Sequence, residues 1–237
     1  MPYRRLPNTD QARIRALKAV VAKADVQNLY DLAVSLKTLT EARNFLTRFE
    51  AAQSYYLQCF ELQSQAGHKH QANVKMARLY VSHFIQVLNL AVIRSEVRVA
   101  HKAYYGLPGD STNVPDLSTE TALVEWGRKI IDGEAKRTSQ GGIPIYNPTI
   151  AKVRVHYDIF TDSYDRQKNL QALTARSLES LSAMRTTADE LILDIWNQVE
   201  KKFEDVSPNG KRLDLCRDYG LIYYYRTGEK RKEEVNK

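Results

Sequence analysis

Residues 74–92, VKMARLYVSHFIQVLNLAV, place Val74, Ala77, Val81, Phe84, Leu88 and Ala91 in steps of three and four, with Ile85 and Val92 widening the stripe. Such spacing puts the apolar side chains on one helix face, and a face this broad needs neighbours on more than one side. Followed in both directions, the pattern extends over residues 38–103, where Phe45, Phe49, Ala52, Tyr56 and Cys59 or Phe60 keep the same steps. Gln63, Ser64, Gln65, Ala66, Gly67 and His68 interrupt the stripe, so a helical hairpin turning at Gly67 is expected.

A second long stretch covers residues 148–206. Ile150, Val153, Tyr157, Phe160 and Tyr164 lead, a polar interval follows, and Leu170, Leu173, Leu178, Leu181, Met184, Leu191, Ile195, Val199 and Phe203 resume. One straight helix of roughly 60 residues would run about 90 Å, which favours a turn near residues 166–176 or at residues 185–187. Between the two stretches, Gly106, Pro108, Gly109 and Pro115 mark a loop that ends at Ser118 or Thr119, the cap of a helix carrying Leu123, Trp126 and Ile130. Residues 141–148, GGIPIYNP, form a second loop, and Asn147-Pro148 signals a helix start with proline in the first turn.

At the N-terminus, Asn8 and Gln11 suit a capping box before a helix over about residues 10–24 that buries Ile14, Leu17, Val20 and Val21. Asp25 then caps a short helix with Leu29, Leu32 and Leu36 on one side. Near the C-terminus, Ser207-Pro208-Asn209-Gly210 is a turn, residues 212–217 a short helix, and residues 219–225, YGLIYYY, an extended segment. A lone strand must lie on the bundle or pair with another chain. The expected fold is all-α: a helical bundle of two long antiparallel helical hairpins, short accessory helices and a short extended C-terminal segment. Its expected parts are residues 1–105, residues 118–206 and an extension 207–237 ending in a disordered basic tail, which can pack as one domain.

The chain has 237 residues, of which 43% are hydrophobic and 27% charged, with only 10 glycines and 7 prolines, so a folded globular core is expected rather than disorder. The first residues lack the apolar centre of a secretory signal, and no apolar run approaches the ~20 residues that span a bilayer. A cytoplasmic protein with no membrane contact is expected. Cys59 and Cys216 make neither a disulfide framework nor a zinc pattern. The net charge of +7 sits at the ends: residues 1–24 carry six Lys/Arg against one Asp, residues 211–237 carry eight against five Asp/Glu, and the body between is nearly neutral.

No phosphate-cradling glycine loop, nucleophile elbow, His-Glu-x-x-His or Cys-x-x-Cys occurs. No histidine has an acid three residues before it, the step a di-metal bundle uses. His68 and His70 fall at the expected turn and read as water-exposed, whereas His83, His101 and His156 read as single surface or core histidines. Asp158, Asp162 and Asp165, like Asp189, Glu190 and Asp194, recur at helical spacing and read as solvated acidic faces. No catalytic residue, metal, cofactor or small-molecule ligand is expected. The most suggestive set is Tyr3, Arg4 and Arg5 at one end with Tyr223, Tyr224, Tyr225, Arg226, Lys230, Arg231 and Lys232 at the other. Aromatic faces stack on exposed bases while Arg and Lys hold phosphates, the manner in which single strands are gripped without a sequence code.

At PYRRLPNTDQARIRALK, PDLSTETALVEWG, GGIPIYNPTIAKV and CRDYGLIYYYRTGE the chain resembles an uncharacterised family of helical proteins of Bacteroidetes-type bacteria. That resemblance implies a cytoplasmic all-helical protein and carries over no functional residue. The leading expectation is a non-catalytic structural or protein-interaction bundle that forms a homo-oligomer by burying apolar helix surface. The alternative is an RNA- or DNA-binding accessory protein using the basic, aromatic termini. A third class, an enzyme, would need a site between the halves around Trp126, Tyr146 and Tyr157.

Overall fold

The structure is a computed structural model and describes residues 2–226, apart from the Leu29 side chain. Among the described residues six α-helices carry the fold: α1 (Asp10–Val26), α2 (Leu36–Ile93), α3 (Glu120–Ser139), α4 (Ile150–Ala183), α5 (Arg185–Lys202) and α6 (Asn209–Asp218). Two short strands, β1 (Tyr3–Arg4) and β2 (Tyr223–Tyr224), form the only sheet among the described residues. The protein is an all-α helical bundle. The chain divides into two compact units, one joining everything up to Gln58 to everything from Ala175, the other made of Cys59–Thr174. These units do not follow the expected spans 1–105, 118–206 and 207–237. The reason is that α2 and α4 are each long enough to place their two ends in different cores.

In the first unit, Thr9 caps α1, its hydroxyl accepting from the Ala12 amide at 3.2 Å, in place of the Asn8–Gln11 box. The α1 face of Ile14, Leu17 and Val20 packs with Phe45 and Phe49 of α2 and with Ile195, Trp196 and Val199 of α5. The start of α2 lies antiparallel to α5, as Thr38 on Asp194 and Ser35 on Gln198 show. Residues 25–36 give a 3₁₀ turn at Leu29–Asp31 rather than the expected helix. The α4–α5 junction is a local loosening at Met184, which keeps α-region dihedrals (φ −82°, ψ −14°), so the chain does not reverse at the residues where a turn was expected.

The second unit holds Phe84, Ile85 and Leu88 of α2 against Tyr105, Leu123, Ile130, Val153 and Phe160. Here α2 runs antiparallel to α4: Gly67 lies by Gln167, His70 by Ser163, and Tyr80 stacks on His156 at 4.1 Å. The hairpin turn expected at Gly67 is therefore absent, and α2 passes through that residue unbroken. One helical glycine costs only about 1 kcal/mol relative to alanine, less than the packing on either side supplies. The 63–68 interval that looked like a turn is polar helix surface. Of the two expected caps, Ser118 and Thr119, it is Thr119 that caps α3, accepting from the Ala122 amide at 3.1 Å. Helix α4 starts two residues after Pro148, with Thr149 accepting from the Lys152 amide at 3.3 Å.

One stretch within α2 is long and apolar enough to cross a membrane by length and composition, contrary to the sequence reading. Of that stretch 39% is buried, and the core helix of a soluble protein satisfies the same criterion.

Candidate functional site

His70 is the residue the sequence reading misplaced. It is 4% exposed, and it sits on the buried stripe because Val74 minus four is residue 70. Ser163 on α4 donates its hydroxyl proton to the Phe160 carbonyl at 2.9 Å, which leaves its oxygen to accept from His70 Nδ1–H at 2.8 Å. The tautomer follows from the hydroxyl's own bond. On the other side Nε2 stands 3.2 Å from Glu120 Oε1, out of line for a hydrogen bond, while the ring stacks on Phe160 at 5.9 Å. Serine, histidine and carboxylate are the residue types of a hydrolytic triad. Ser163, however, lies mid-helix, where the neighbouring backbone amides are spent within α4 and cannot hold an oxyanion. The arrangement fastens α2 to α4.

Above His70 a groove of about 350 Å³ opens between α2 and α4. Leu62, Ala66 and Ile159 supply apolar walls, and Leu62 and Ile159 are 46% and 47% exposed. Lys69, Asp162 and Arg166 line the same groove, and among the described residues none of the three is ion-paired. The groove thus presents both signs of charge beside bare apolar surface.

Two loops of this unit are pinned from beneath. Glu134 and Arg137, 0% and 2% exposed, pair at 2.9 Å. Arg137 also donates to the Tyr105 hydroxyl at 2.7 Å and to the Ile143 carbonyl at 2.8 Å. Glu134 accepts from the Ile145 amide at 3.0 Å and from the Tyr105 hydroxyl. Burial, then the bond to Glu134, pushes the Tyr105 hydroxyl well above the usual phenol range. The second loop is held by Lys102, 1% exposed, on the Ser111 carbonyl, by Asn89 on Thr112 at 2.8 Å and by Arg78 on Leu117 at 2.8 Å.

The terminal residues singled out from the sequence come together. β1 and β2 pair antiparallel in the register Tyr3 with Tyr224 and Arg4 with Tyr223, so the extended C-terminal segment is covered by the chain's own start. Arg4 and Tyr223 turn toward the bundle: Arg4 donates to Asn197 at 2.8 Å and Tyr223 to Glu200 at 2.8 Å. Burial and that Glu200 bond raise the Tyr223 hydroxyl above its ordinary range. Tyr3 and Tyr224 turn outward with ring centres 5.8 Å apart, and the Arg226 guanidinium lies 4.4 Å over Tyr3. Arg5 and Tyr225 are exposed. Lys230, Arg231 and Lys232 lie outside the described residues.

The remaining expectations divide. Asp189 is held by Arg13 at 2.7 Å and Asp194 accepts from Thr38 at 3.2 Å, so these acids are structural, whereas Asp158, Asp162 and Asp165 are exposed. His68 and His83 are exposed, and His101 stacks on Tyr104 at 5.4 Å. Of the residues Trp126, Tyr146 and Tyr157, Tyr146 is 75% exposed, and the Tyr157 hydroxyl donates to the Val124 carbonyl at 2.8 Å. Among the described residues no group of three or more His, Cys, Asp and Glu is placed to hold a metal ion. A scan of protein-family models found no matching family, and searches of curated proteins and of solved structures found no significant match. Fold and geometry are therefore the ground for a functional reading.

Proposed function

We propose that this protein is a non-catalytic interaction bundle that assembles with a second copy of itself through the α2–α4 groove. One observation carries the reading: half-exposed Leu62 and Ile159 share a single surface with Lys69, Arg166 and Asp162, none of them ion-paired among the described residues. A two-fold interface sets one patch against its own copy, so a patch with both signs of charge is self-complementary, Asp162 of one copy meeting Lys69 and Arg166 of the other. Apolar contact at the centre and charge at the rim is the ordinary anatomy of such interfaces. A reducing, cytoplasmic setting agrees with Cys59 and Cys216, which are both free and buried.

Charge exchange tests the proposal. Asp162→Lys makes the patch wholly positive, and Lys69→Asp with Arg166→Asp makes it wholly negative, so each variant alone should run as a monomer by light scattering. Mixed in equal amounts they should recover the mass of the wild-type assembly. Folded variants that keep the wild-type mass, or a mixture that stays monomeric beside an oligomeric wild type, would remove the groove as the interface.

A further inference from the structure

The terminal sheet supports an inference independent of the groove, and it belongs to the other compact unit. Side chains alternate across a strand, so the register of Tyr3 with Tyr224 puts Tyr3, Arg5, Ile222, Tyr224 and Arg226 on one face of the ribbon. Contacts agree with that assignment. The alternate residues Arg4 and Tyr223 are consumed by Asn197 and Glu200, whereas Tyr3, Tyr224 and Arg226 touch one another on the solvent side. The Arg5 amide bonds to the Ile222 carbonyl at 2.8 Å, which continues the ladder and fixes Arg5 on the outer face.

Three properties of this face decide what fits it. Its tyrosines are accessible, at 37% for Tyr3 and 43% for Tyr224, and Ile222 on the same face is 49% exposed. It carries two guanidinium groups, and none of its five residues is acidic. Among the described residues, Glu200 lies on the inner side, where Arg4 at 3.4 Å and the Tyr223 hydroxyl occupy it. Two tilted aromatic rings, with the Arg226 guanidinium lying over the Tyr3 ring and an exposed Arg5 on the same face, form a platform for stacked bases with phosphates beside them. A duplex offers no exposed base faces to such a platform, and an acidic peptide would use the arginines while leaving the rings bare.

We infer that the outer face of the β1–β2 ribbon binds single-stranded nucleic acid, the bases stacking on Tyr3 and Tyr224 and the phosphates held by Arg5 and Arg226. The contact reads no sequence, since every base has a stacking face and the ribbon presents no edge-reading amide or carboxylate.

The test is fluorescence anisotropy of the full-length protein with a labelled single-stranded oligonucleotide of about 10 nucleotides, titrated over a salt series starting near 50 mM. Binding is expected to weaken with salt. Replacing Arg5 and Arg226 by Gln together should lower the slope of log affinity against log salt by about 1.4, two phosphates at ~0.7 each on a single strand. Tyr224→Ala should weaken binding roughly 5-fold or more while leaving that slope unchanged. Tyr3→Leu with Tyr224→Leu keeps an apolar ribbon and should show the same loss, which separates stacking from damage to the sheet. Circular dichroism melting checks that each variant is folded. The inference is overturned if the wild type fails to bind at the lowest salt, if the tyrosine variants bind as tightly as wild type, if a duplex binds equally well, or if polyglutamate displaces the oligonucleotide on equal terms.

Discussion

Both compact units are fastened by charged side chains, yet two ion pairs of the first each leave one member open to water and the buried pair of the second leaves none. In the first unit Arg13 pairs with Asp189 at 2.7 Å and Arg185 with Asp10 at 2.8 Å, and Asp189 and Arg185 keep 44% and 38% of their side-chain surface in water. In the second unit Glu134 and Arg137 are sealed beneath a loop with Tyr105. Water can replace a partner in the first cluster and cannot in the second. Equal-looking ion pairs are therefore expected to have unequal consequences. The chain supplies its own reporters, because Trp196 is buried in the first unit and Trp126 lies in the second. Variants with a single tryptophan follow each unit separately by fluorescence.

The largest expected effect comes from Glu134→Leu, which leaves the Arg137 charge buried without its partner and should destabilise the Trp126-reported transition in denaturant by about 3–5 kcal/mol. Adding Arg137→Met should restore much of that loss, since the stranded charge is then gone. Next is Gly133→Ala. A Cβ there would meet the Tyr105 ring and stand 2.8 Å from the Tyr104 carbonyl oxygen, so overpacking should cost about 1–3 kcal/mol by the same measurement. Smaller again is an alkaline effect. The folded state holds the Tyr105 proton above the phenol's ordinary range, whereas the unfolded chain releases it near pH 10, so the unfolded state binds fewer protons there and stability falls as pH rises past about 10. Tyr105→Phe should flatten that alkaline fall in the second unit, and Tyr223→Phe should do so in the first. The smallest effect is Asp189→Asn, at about 1 kcal/mol or less on the Trp196-reported transition, because Asp189 itself is half in water and Arg13 keeps its second carboxylate, Asp10, at 3.3 Å. A loss there as large as that of Glu134→Leu would break the comparison.

Local signals made much of this fold legible. Stripes such as Val74, Ala77, Val81, Phe84 and Leu88 are core positions, Thr119 caps α3, and the YGLIYYY segment carries a strand. Gly67 misled because a glycine beside a polar run has the composition of a turn, and only the packing of both flanks shows that the helix continues. His70 could have been found by carrying the Val74 stripe one step toward the N-terminus through the polar interval. No local signal could place Glu134 on Tyr105, Arg78 on Leu117 or Tyr3 on Tyr224, since partners 29, 39 and 221 residues apart meet only after the helices pack. The tyrosines and arginines of the termini were visible as residue types. Their division into an inner and an outer face required the register.

Sedimentation velocity of the wild-type protein over a concentration series, beside Leu62→Glu with Ile159→Glu, tests the self-assembly reading most directly. The account predicts a wild type that sediments as a defined oligomer at the higher concentrations and a folded double variant that stays monomeric throughout. A wild type that remains monomeric at every concentration would contradict it, as would a double variant that assembles as well as wild type.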